Sequence, residues 1–483
     1  MIERAGYLPG LKNKDVDWNK IEFGSLKCPV EVLVPVLTEA QIKELLDRVR
    51  SSARAKLKGR PVNDIVKIID KAVARLLNRE DPFRKKAEYL LPRVTGYDAE
   101  MLRVALTQFL KTFRTPQLMR FLAEDFSNPQ LLDGFQPITK GGFGRAFGPD
   151  ILTHIWAGNV PGLPVWSFVS GLLVKAGSIG KLPSSEPLFA GWFAQVLAEE
   201  EPEIAECFAI VWWKGGDTST EVNIFNNSDV VLAYGNNSSL EAVRNRVPVT
   251  TRFLGYGHKL SFGIVSSSVL NTQKVGKVAR DAARDVIYYD QQGCYSPHMF
   301  FVERGGSVSP KEFARYLAFQ LACFEQKYSR QELSVGEARD FVRWRQGVER
   351  EVQLAKGSEL ISDPKGAWAV VYDETGAELS PSGLKRTVRV SVIDKLSAVI
   401  PRIMACKDLL QTVGVAATPE EMYELANELG YAGITRISAL GRMAIPEAGW
   451  HHDGRFSLLD LVKITEIDGS AEKTMDSFSH YED

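Results

Sequence analysis

The stretch Ile151-Leu152-Thr153-His154-Ile155-Trp156-Ala157-Gly158-Asn159-Val160-Pro161-Gly162-Leu163-Pro164 decides how the middle of the chain is read. It opens a run, residues 151–174, that contains no Asp, Glu, Lys or Arg. Hydropathy alone would make the run a membrane span, which needs about 20 apolar residues in one unbroken helix. Gly158, Asn159, Pro161, Gly162 and Pro164 break it near its middle. Two short buried elements joined by a turn are the better reading, and no membrane span is expected.

The alternation continues on the C-terminal side. Apolar runs at 152–156, 178–182, 208–213, 230–234 and 249–254 read as strands, and helices are expected to begin near Pro164, Pro187, Thr220 and Ser238. Strand and helix alternating at this spacing predict a parallel, doubly wound α/β sheet. In such sheets a cofactor lies beyond the carboxyl ends of the strands, here the loops 158–162, 183–186 and 235–238. On the N-terminal side, residues 39–125 read as helices from apolar residues at helical spacing, Ile42-Leu45-Leu46-Val49 and Ile65-Val66-Ile69-Val73-Leu76. The segment 139–149 is rich in glycine (Gly141, Gly142, Gly144, Gly148) but lacks the spacing of a dinucleotide fingerprint or a P-loop, so it receives no phosphate role.

Composition narrows the function classes. With 59 basic and 60 acidic residues in 483, the net charge of -1 gives no electrostatic reason to expect nucleic acid or an anionic membrane as partner. The length allows two or three domains. The five cysteines, Cys28, Cys207, Cys294, Cys323 and Cys406, are scattered and include no CxxC pair. That fits a reduced, cytoplasmic protein without a disulfide framework or structural zinc site. Residues 1–14 have no apolar core, so no secretory signal is expected, and the short acidic tail 477–483 is expected to fray.

Chemistry concentrates in Asp290-Gln291-Gln292-Gly293-Cys294-Tyr295-Ser296-Pro297-His298. A helical pattern over 273–289 stops at Gly293, and 299–302 reads as a buried strand, which puts Cys294 at a joint between elements, where reactive groups are commonly carried. Most cysteines of reduced proteins simply pack. The polar neighbours of Cys294 are unusual for a core thiol, and they make it the candidate nucleophile. Asn159, after an apolar strand and before a Pro-Gly turn, is a turn residue or an amide donor to an oxyanion. Lys181 ends the next strand in Lys181-Leu182-Pro183-Ser184-Ser185-Glu186-Pro187, as a solvated lysine or as a cation for a ribose or its phosphate. His258 and His298 are candidates for proton transfer. His451-His452-Asp453 is read as a loop near the substrate entrance or a subunit contact, because adjacent histidines on extended chain face opposite ways and no further metal ligand is in view. Downstream, 309–348 reads as helical, 367–372 and 387–392 as strands, and 419–429 as a helix.

Taken together, Gly158-Asn159-Val160-Pro161, the stretch from Lys181 to Pro187, residues 230–236 and 255–265, and Gln292-Gly293-Cys294 resemble the successive landmarks of the aldehyde dehydrogenase superfamily. Asp290 to Pro297 and Gly449-Trp450-His451-His452-Asp453-Gly454 are more closely similar to the fatty acyl-CoA reductases of bacterial luminescence systems and their non-luminous relatives. The resemblance implies an aldehyde-dehydrogenase-like α/β fold: a doubly wound cofactor domain, an α/β catalytic domain and a small oligomerisation element. The implied divisions are 1–147, an N-terminal helical part; 148–270, the nicotinamide-cofactor domain; 271–435, the catalytic domain; and 436–483, active-site or subunit contacts.

It also implies roles. Cys294 would be the nucleophile, Asn159 the oxyanion amide, and Lys181 the contact to the adenosine ribose, with Ser184, Glu186, Gly235 and Asn236 as further cofactor contacts. Oxidising dehydrogenases carry a glutamate that activates the hydrolytic water; this chain has Gly255 near that place, and His258 is the remaining base of the stretch. A thioester reductase has no use for such water, since hydrolysis destroys the intermediate that must accept hydride. The expected activity is therefore reduction of an acyl-CoA to an aldehyde by NADPH, with NADH as the alternative cofactor. The donor is coenzyme A or an acyl-protein, in a homo-oligomer or beside an acyl-transferring synthetase. An aldehyde dehydrogenase, acylating coenzyme A or hydrolysing, and a catalytically silent acyl- or partner-binding relative are the alternatives.

Overall fold

The computed structural model describes residues 1–24, 29–383 and 385–478; Cys28 and positions 479–483 of the acidic tail lie outside the described residues. The chain divides into two compact units. The first comprises Met1–Val94, Leu106–Gly257 and Glu447–Asp483, the second Thr95–Ala105 and His258–Pro446.

The first unit opens with strands where the sequence reading expects helix. β1 (Ile2–Arg4), β2 (Asp17–Phe23) and β3 (Val30–Val36) form a sheet in the order β1-β3-β2, which corrects the N-terminal helical part over its first 36 residues. The physical reason is legible in β3: Val30, Val32 and Val34 are buried while Glu31 and Leu33 are only partly so, the period of two that a strand requires. Helices α1 (Glu39–Ser52), α2 (Val62–Leu77), α3 (Pro82–Thr95), α4 (Ala99–Lys111) and α5 (Thr115–Asp125) follow, as the apolar spacing predicts, with Thr95–Ala105, the start of α4 included, counted in the second unit. α1 starts at a reciprocal Thr38–Gln41 capping box and buries Ile42, Leu45, Leu46 and Val49.

The uncharged run folds as strand, turn and helix: β6 (Ile151–Ile155), then α6 (Leu163–Leu173). Gly162 makes the break, because its φ of +97 disfavours a side chain and a Cβ there would lie 3.0 Å from the ring of Phe109. β7 (Gly177–Lys181), α7 (Phe189–Glu200), β8 (Phe208–Val211), α8 (Thr218–Asn226), β9 (Val230–Tyr234), α9 (Asn237–Arg244) and β10 (Arg252–Tyr256) complete the alternation. β10 begins at Arg252 rather than at 249, because residues 248–251 close a turn through Thr251 N–H and Pro248 O. The five strands pair in parallel in the order β10-β9-β6-β7-β8. Strand order thus reverses between β6 and β9, and a doubly wound sheet opens its ligand crevice at such a reversal, outside the carboxyl ends. Ile151, Ile179, Ala209 and Val231 form the core with Ile42, Leu46 and Val49 of α1. In the same unit β4 (Gln136–Pro137) and β5 (Phe143–Phe147) join the late strand β18 (Lys463–Ile467) in an antiparallel sheet, β18-β5-β4.

The second unit is built on β11 (Leu260–Val265), α10 (Val275–Ile287), β12 (Pro297–Glu303), α11 (Pro310–Lys327), α12 (Val335–Leu354), β13 (Glu359–Ser362), β14 (Ala369–Asp373), β15 (Thr387–Ile393), α13 (Val399–Ile403), β16 (Leu410–Ala416), α14 (Pro419–Tyr431) and β17 (Arg436–Ala439). Its seven-stranded sheet runs β13-β14-β15-β12-β11-β16-β17, parallel except at β13. β11 lies between β12 and β16, so Leu260–Val265, expected with the cofactor domain, belong to this sheet, and the second unit resumes at His258. Alternation along β12 gives each face its own core: Phe300 and Val302 pack with α10 and α11, Met299 and Phe301 with α13 and α14. Among the described residues no helix is long and apolar enough to cross a membrane.

Candidate active site

In the first unit, the cofactor candidates gather at the carboxyl ends of the parallel strands. Asn159 lies four residues beyond β6, in a loop pressed against the next one: a Cβ on Gly158 would fall 2.2 Å from Ser185 Oγ. Lys181 is the last residue of β7, with Nζ 5.6 Å from the Trp213 ring centroid. Burial lowers its pKa, with Glu221 pulling the other way. Ser184 Oγ accepts the Trp212 indole N–H at 3.3 Å. A small groove of about 140 Å³, lined by Leu37, Ile42, Trp213, Lys214, Asp217 and Ile224 among others, opens beside the end of β8.

Gly235 and Asn236 follow β9 on the other side of the strand reversal. Gly235 N–H donates to Tyr256 O, and Asn236 Oδ1 accepts Ser239 N–H at 2.8 Å, which starts α9. Glu186 departs from its expected part. It is 1% exposed, and its Oε1 accepts the N–H groups of Leu188 (2.8 Å) and Phe189 (3.0 Å) at the start of α7. Burial raises its carboxyl to about 7. An inward carboxyl engaged in this way is not available to a ribose, so Glu186 is corrected from cofactor contact to internal support of α7.

The C-terminal stretch of this unit contributes a feature absent from the sequence reading. Tyr234 and Tyr256, last residues of β9 and β10, stack at 5.0 Å between ring centroids, and His452 stacks on Tyr256 at 4.4 Å and 12°. Trp450 adds a ring 4.7 Å from His452. An aromatic at the end of each of two neighbouring strands was the available signal. Among the described residues no group of three or more His, Cys, Asp or Glu is placed to hold a metal ion. Gly255, penultimate in β10, packs beside Phe253 and Leu240.

In the second unit, the chemistry lies at the amino ends of the strands instead. α10 ends at Ile287, and the backbone of Tyr289, Asp290 and Gln291 then turns left-handed, with φ of 48°, 47° and 66°. Each such non-glycine residue costs on the order of 1–3 kcal/mol and persists only where its surroundings impose it. Cys294 follows, half-buried, with its carbonyl oxygen accepting Ser261 Oγ–H at 2.8 Å. Ser261 Oγ in turn accepts Thr412 N–H. The other described cysteines differ: Cys207 is buried with its thiol pushed up to about 12, Cys406 Sγ contacts Leu379 O, and Cys323 is exposed.

His258 precedes β11, and His298 is the second residue of β12, with ring centroids 6.5 Å apart. His298 is 3% exposed; burial, and secondly the neighbouring His258, bring its pKa down to about 4. It is neutral at physiological pH. The structure thus brings Cys294, His258 and His298 to one end of one sheet, and Lys181, Ser184, Gly235 and Asn236 to one end of the other.

Comparison with known proteins agrees with this architecture. Residues 57–464 match the family model described as acyl-CoA reductase (LuxC). The long-chain acyl-protein thioester reductase of Photorhabdus luminescens is 25% identical over 436 residues, covering 89% of this chain and 86% of the relative. The Aliivibrio fischeri protein of that name is 24% identical over 444 residues, with 90% and 86% covered. Among solved structures, aldehyde dehydrogenase 21 of Physcomitrella patens aligns with a TM-score of 0.71 at 13% identity, covering 96% of this chain and 98% of that one. Methylmalonate-semialdehyde dehydrogenase of Oceanimonas doudoroffii aligns at 0.73 and 11%, with 97% and 98% covered. The fold is that of the aldehyde dehydrogenases, and the chain belongs to the acyl-CoA reductase (LuxC) family.

Proposed function

We propose that the protein reduces an acyl thioester to an aldehyde through a thioester on Cys294. The Cys294 thiolate attacks the acyl carbonyl, the donor's sulfur leaves with a proton, and the acyl group remains on Cys294. When bound, a reduced nicotinamide supplies the hydride that brings this acyl group to the aldehyde level. Collapse of the tetrahedral adduct then breaks the carbon–sulfur bond and returns Cys294 as thiolate. Asn159 keeps its proposed part as amide donor to the oxyanion, the largest single contribution such sites make.

The observation that carries the reading is Gly255. Near the place where a hydrolysing dehydrogenase has a glutamate this chain has Gly255, and the stretch 253–259 contains no Glu or Asp to activate water. A second reading, hydrolysis with His258 as substitute base, is favoured by the place of His258 three residues on from Gly255.

The cofactor we propose is NADPH. An acidic residue beyond the second strand holds the ribose 2′-hydroxyl in NAD enzymes. Here the second strand, β7, ends in Lys181, and the acid of its loop, Glu186, is engaged internally at the start of α7. A lysine with serine hydroxyls and no free carboxylate suits a 2′-phosphate. The donor is a long-chain acyl thioester, on coenzyme A as the family description has it or on a protein as the relatives' names have it. Ile464 and Ile467 of β18 and Phe147 of β5 remain exposed, which supports a homo-oligomer contact on that sheet. The free thiols Cys207, Cys323 and Cys406 suit a reducing, cytoplasmic setting.

The test is direct. Labelled acyl-CoA or acyl-protein without cofactor should leave a hydroxylamine-sensitive label on Cys294, and added NADPH should release it as aldehyde. Cys294→Ser should take no label, since an unassisted hydroxyl is scarcely ionised. Label on Cys207 or Cys323 instead would end the proposal.

A further inference from the structure

We propose that Arg386, Asp290 and Gln291 are positioning residues for Cys294, a latch that fixes where its thiol stands; this rests on Cys294 being the acylated thiol. Gln291 lies three residues before Cys294 and Pro297 three after. The Gln291 side chain closes that loop, its Nε2–H donating to Pro297 O at 2.7 Å and to Thr387 O at 2.8 Å, while its Oε1 accepts Thr387 N–H at 3.0 Å. With Ser261 holding the Cys294 carbonyl, the loop is pinned at both ends and at its middle.

The left-handed backbone ahead of Cys294 needs an external cause, since Tyr289, Asp290 and Gln291 include no glycine. Arg386 supplies it from 96 residues away. Its Nε–H donates to Asp290 Oδ1 at 2.7 Å and its Nη2 stands 2.6 Å from the same oxygen as an ion pair without a hydrogen bond, with both side chains fully buried. Asp290 Oδ2 also accepts Gln331 N–H, and Arg386 Nη1 reaches Glu325 Oε2 and Tyr328 O, each at 2.6 Å. The facing backbone is strained in the same sense, with φ of 53° at Lys385 and 70° at Arg386. Desolvation offsets much of the attraction in a buried ion pair, so stability alone is a weak reason for this one. What a planar guanidinium does supply is direction: Nε fixed on Asp290 and Nη1 on Glu325 and Tyr328 hold it in one orientation, and it joins two left-handed segments, one of which leads into Cys294.

Two variants test this, each followed by alkylation of Cys294 with iodoacetamide across pH, with the labelled peptide identified. Arg386→Lys keeps the charge and removes the planar group that bonds Asp290, Glu325 and Tyr328 at once. Gln291→Met removes the loop closure without stranding a charge. Each folded variant should alkylate Cys294 at least tenfold more slowly or with a displaced pH midpoint, and should acylate correspondingly slowly, while binding NADPH within twofold of wild type. Alkylation rate and pH midpoint within twofold of wild type in both would overturn the latch. So would failure of both to fold, since the network would then serve folding. Acylation of wild-type Cys294 is measured alongside: if absent, the proposed function fails; if present with unaltered variants, only the latch does.

Discussion

His298 Nδ1 accepts the backbone N–H of Ser382 at 3.1 Å, so the neutral ring carries its proton on Nε2. His298 stays neutral in the folded protein down to about pH 4, whereas the unfolded chain takes up a proton near 6.5. Its contribution to stability is therefore full above the unfolded value and is lost as pH falls toward the folded one. The buried His154, brought down to about 3, acts in the same direction. His298→Gln should flatten the fall of the urea midpoint between pH 6.5 and pH 4; an unaltered slope would exclude His298 as a source of acid sensitivity.

Glu186 works in the opposite sense. With a folded pKa of about 7 against the ordinary 4.5, its proton stays on in the folded protein where the unfolded chain has lost it. The stability this gives is present below the unfolded value and lost as pH rises through about 7. Glu186→Gln, which keeps an acceptor for Leu188 and Phe189 without ionising, should be near wild type at pH 5 and more stable at pH 8. The expected gain is on the order of 2–3 kcal/mol. Chemical denaturation at the two pH values measures it.

Asn159→Ala should slow acylation and reduction by roughly a hundredfold if its amide is one of two oxyanion donors. Binding of NADPH should barely move. Single-turnover acylation kinetics separate this from a turn residue, whose replacement would leave the chemistry at wild-type rates.

The direction of the acyl-enzyme offers the fourth test. Given an aldehyde and oxidised cofactor, the protein should form acyl-CoA when coenzyme A is present and little free acid when it is absent. Rapid release of acid that His258→Ala abolishes would replace the reductase reading with a hydrolysing one.

Much of the cofactor sheet was legible because each central strand is a continuous apolar run between turn residues. Val230–Tyr234 was found to the residue. β2 and β3 do carry a strand signal, since Lys20, Glu22 and Glu31 alternate with Ile21, Phe23, Val30 and Val32, but it is short and stands apart from the βα alternation by which the rest of the unit is read. The sequence marked Cys294 by its polar neighbours, but not the conformation that presents it. Tyr, Asp and Gln have no strong preference for left-handed backbone, and the partner that imposes it on Asp290 is 96 residues away. Glu186 misled for the reverse reason: a carboxylate in a cofactor loop reads as a ligand, and only its two backbone donors reveal that it faces inward.

The two compact units are not two lengths of chain. The polypeptide passes between them at Val94/Thr95, Ala105/Leu106, Gly257/His258 and Pro446/Glu447. Asp125 therefore awaits the N–H of Leu458, 333 residues later, and β5 awaits β18. On the ribosome, the unit that starts first finishes last. While the second unit is being made, β5 is exposed to wrong partners as an edge lacking its β18 neighbour. A nascent chain stopped at Pro446 should complete the sheet around Cys294 while remaining a target for chaperones at β5.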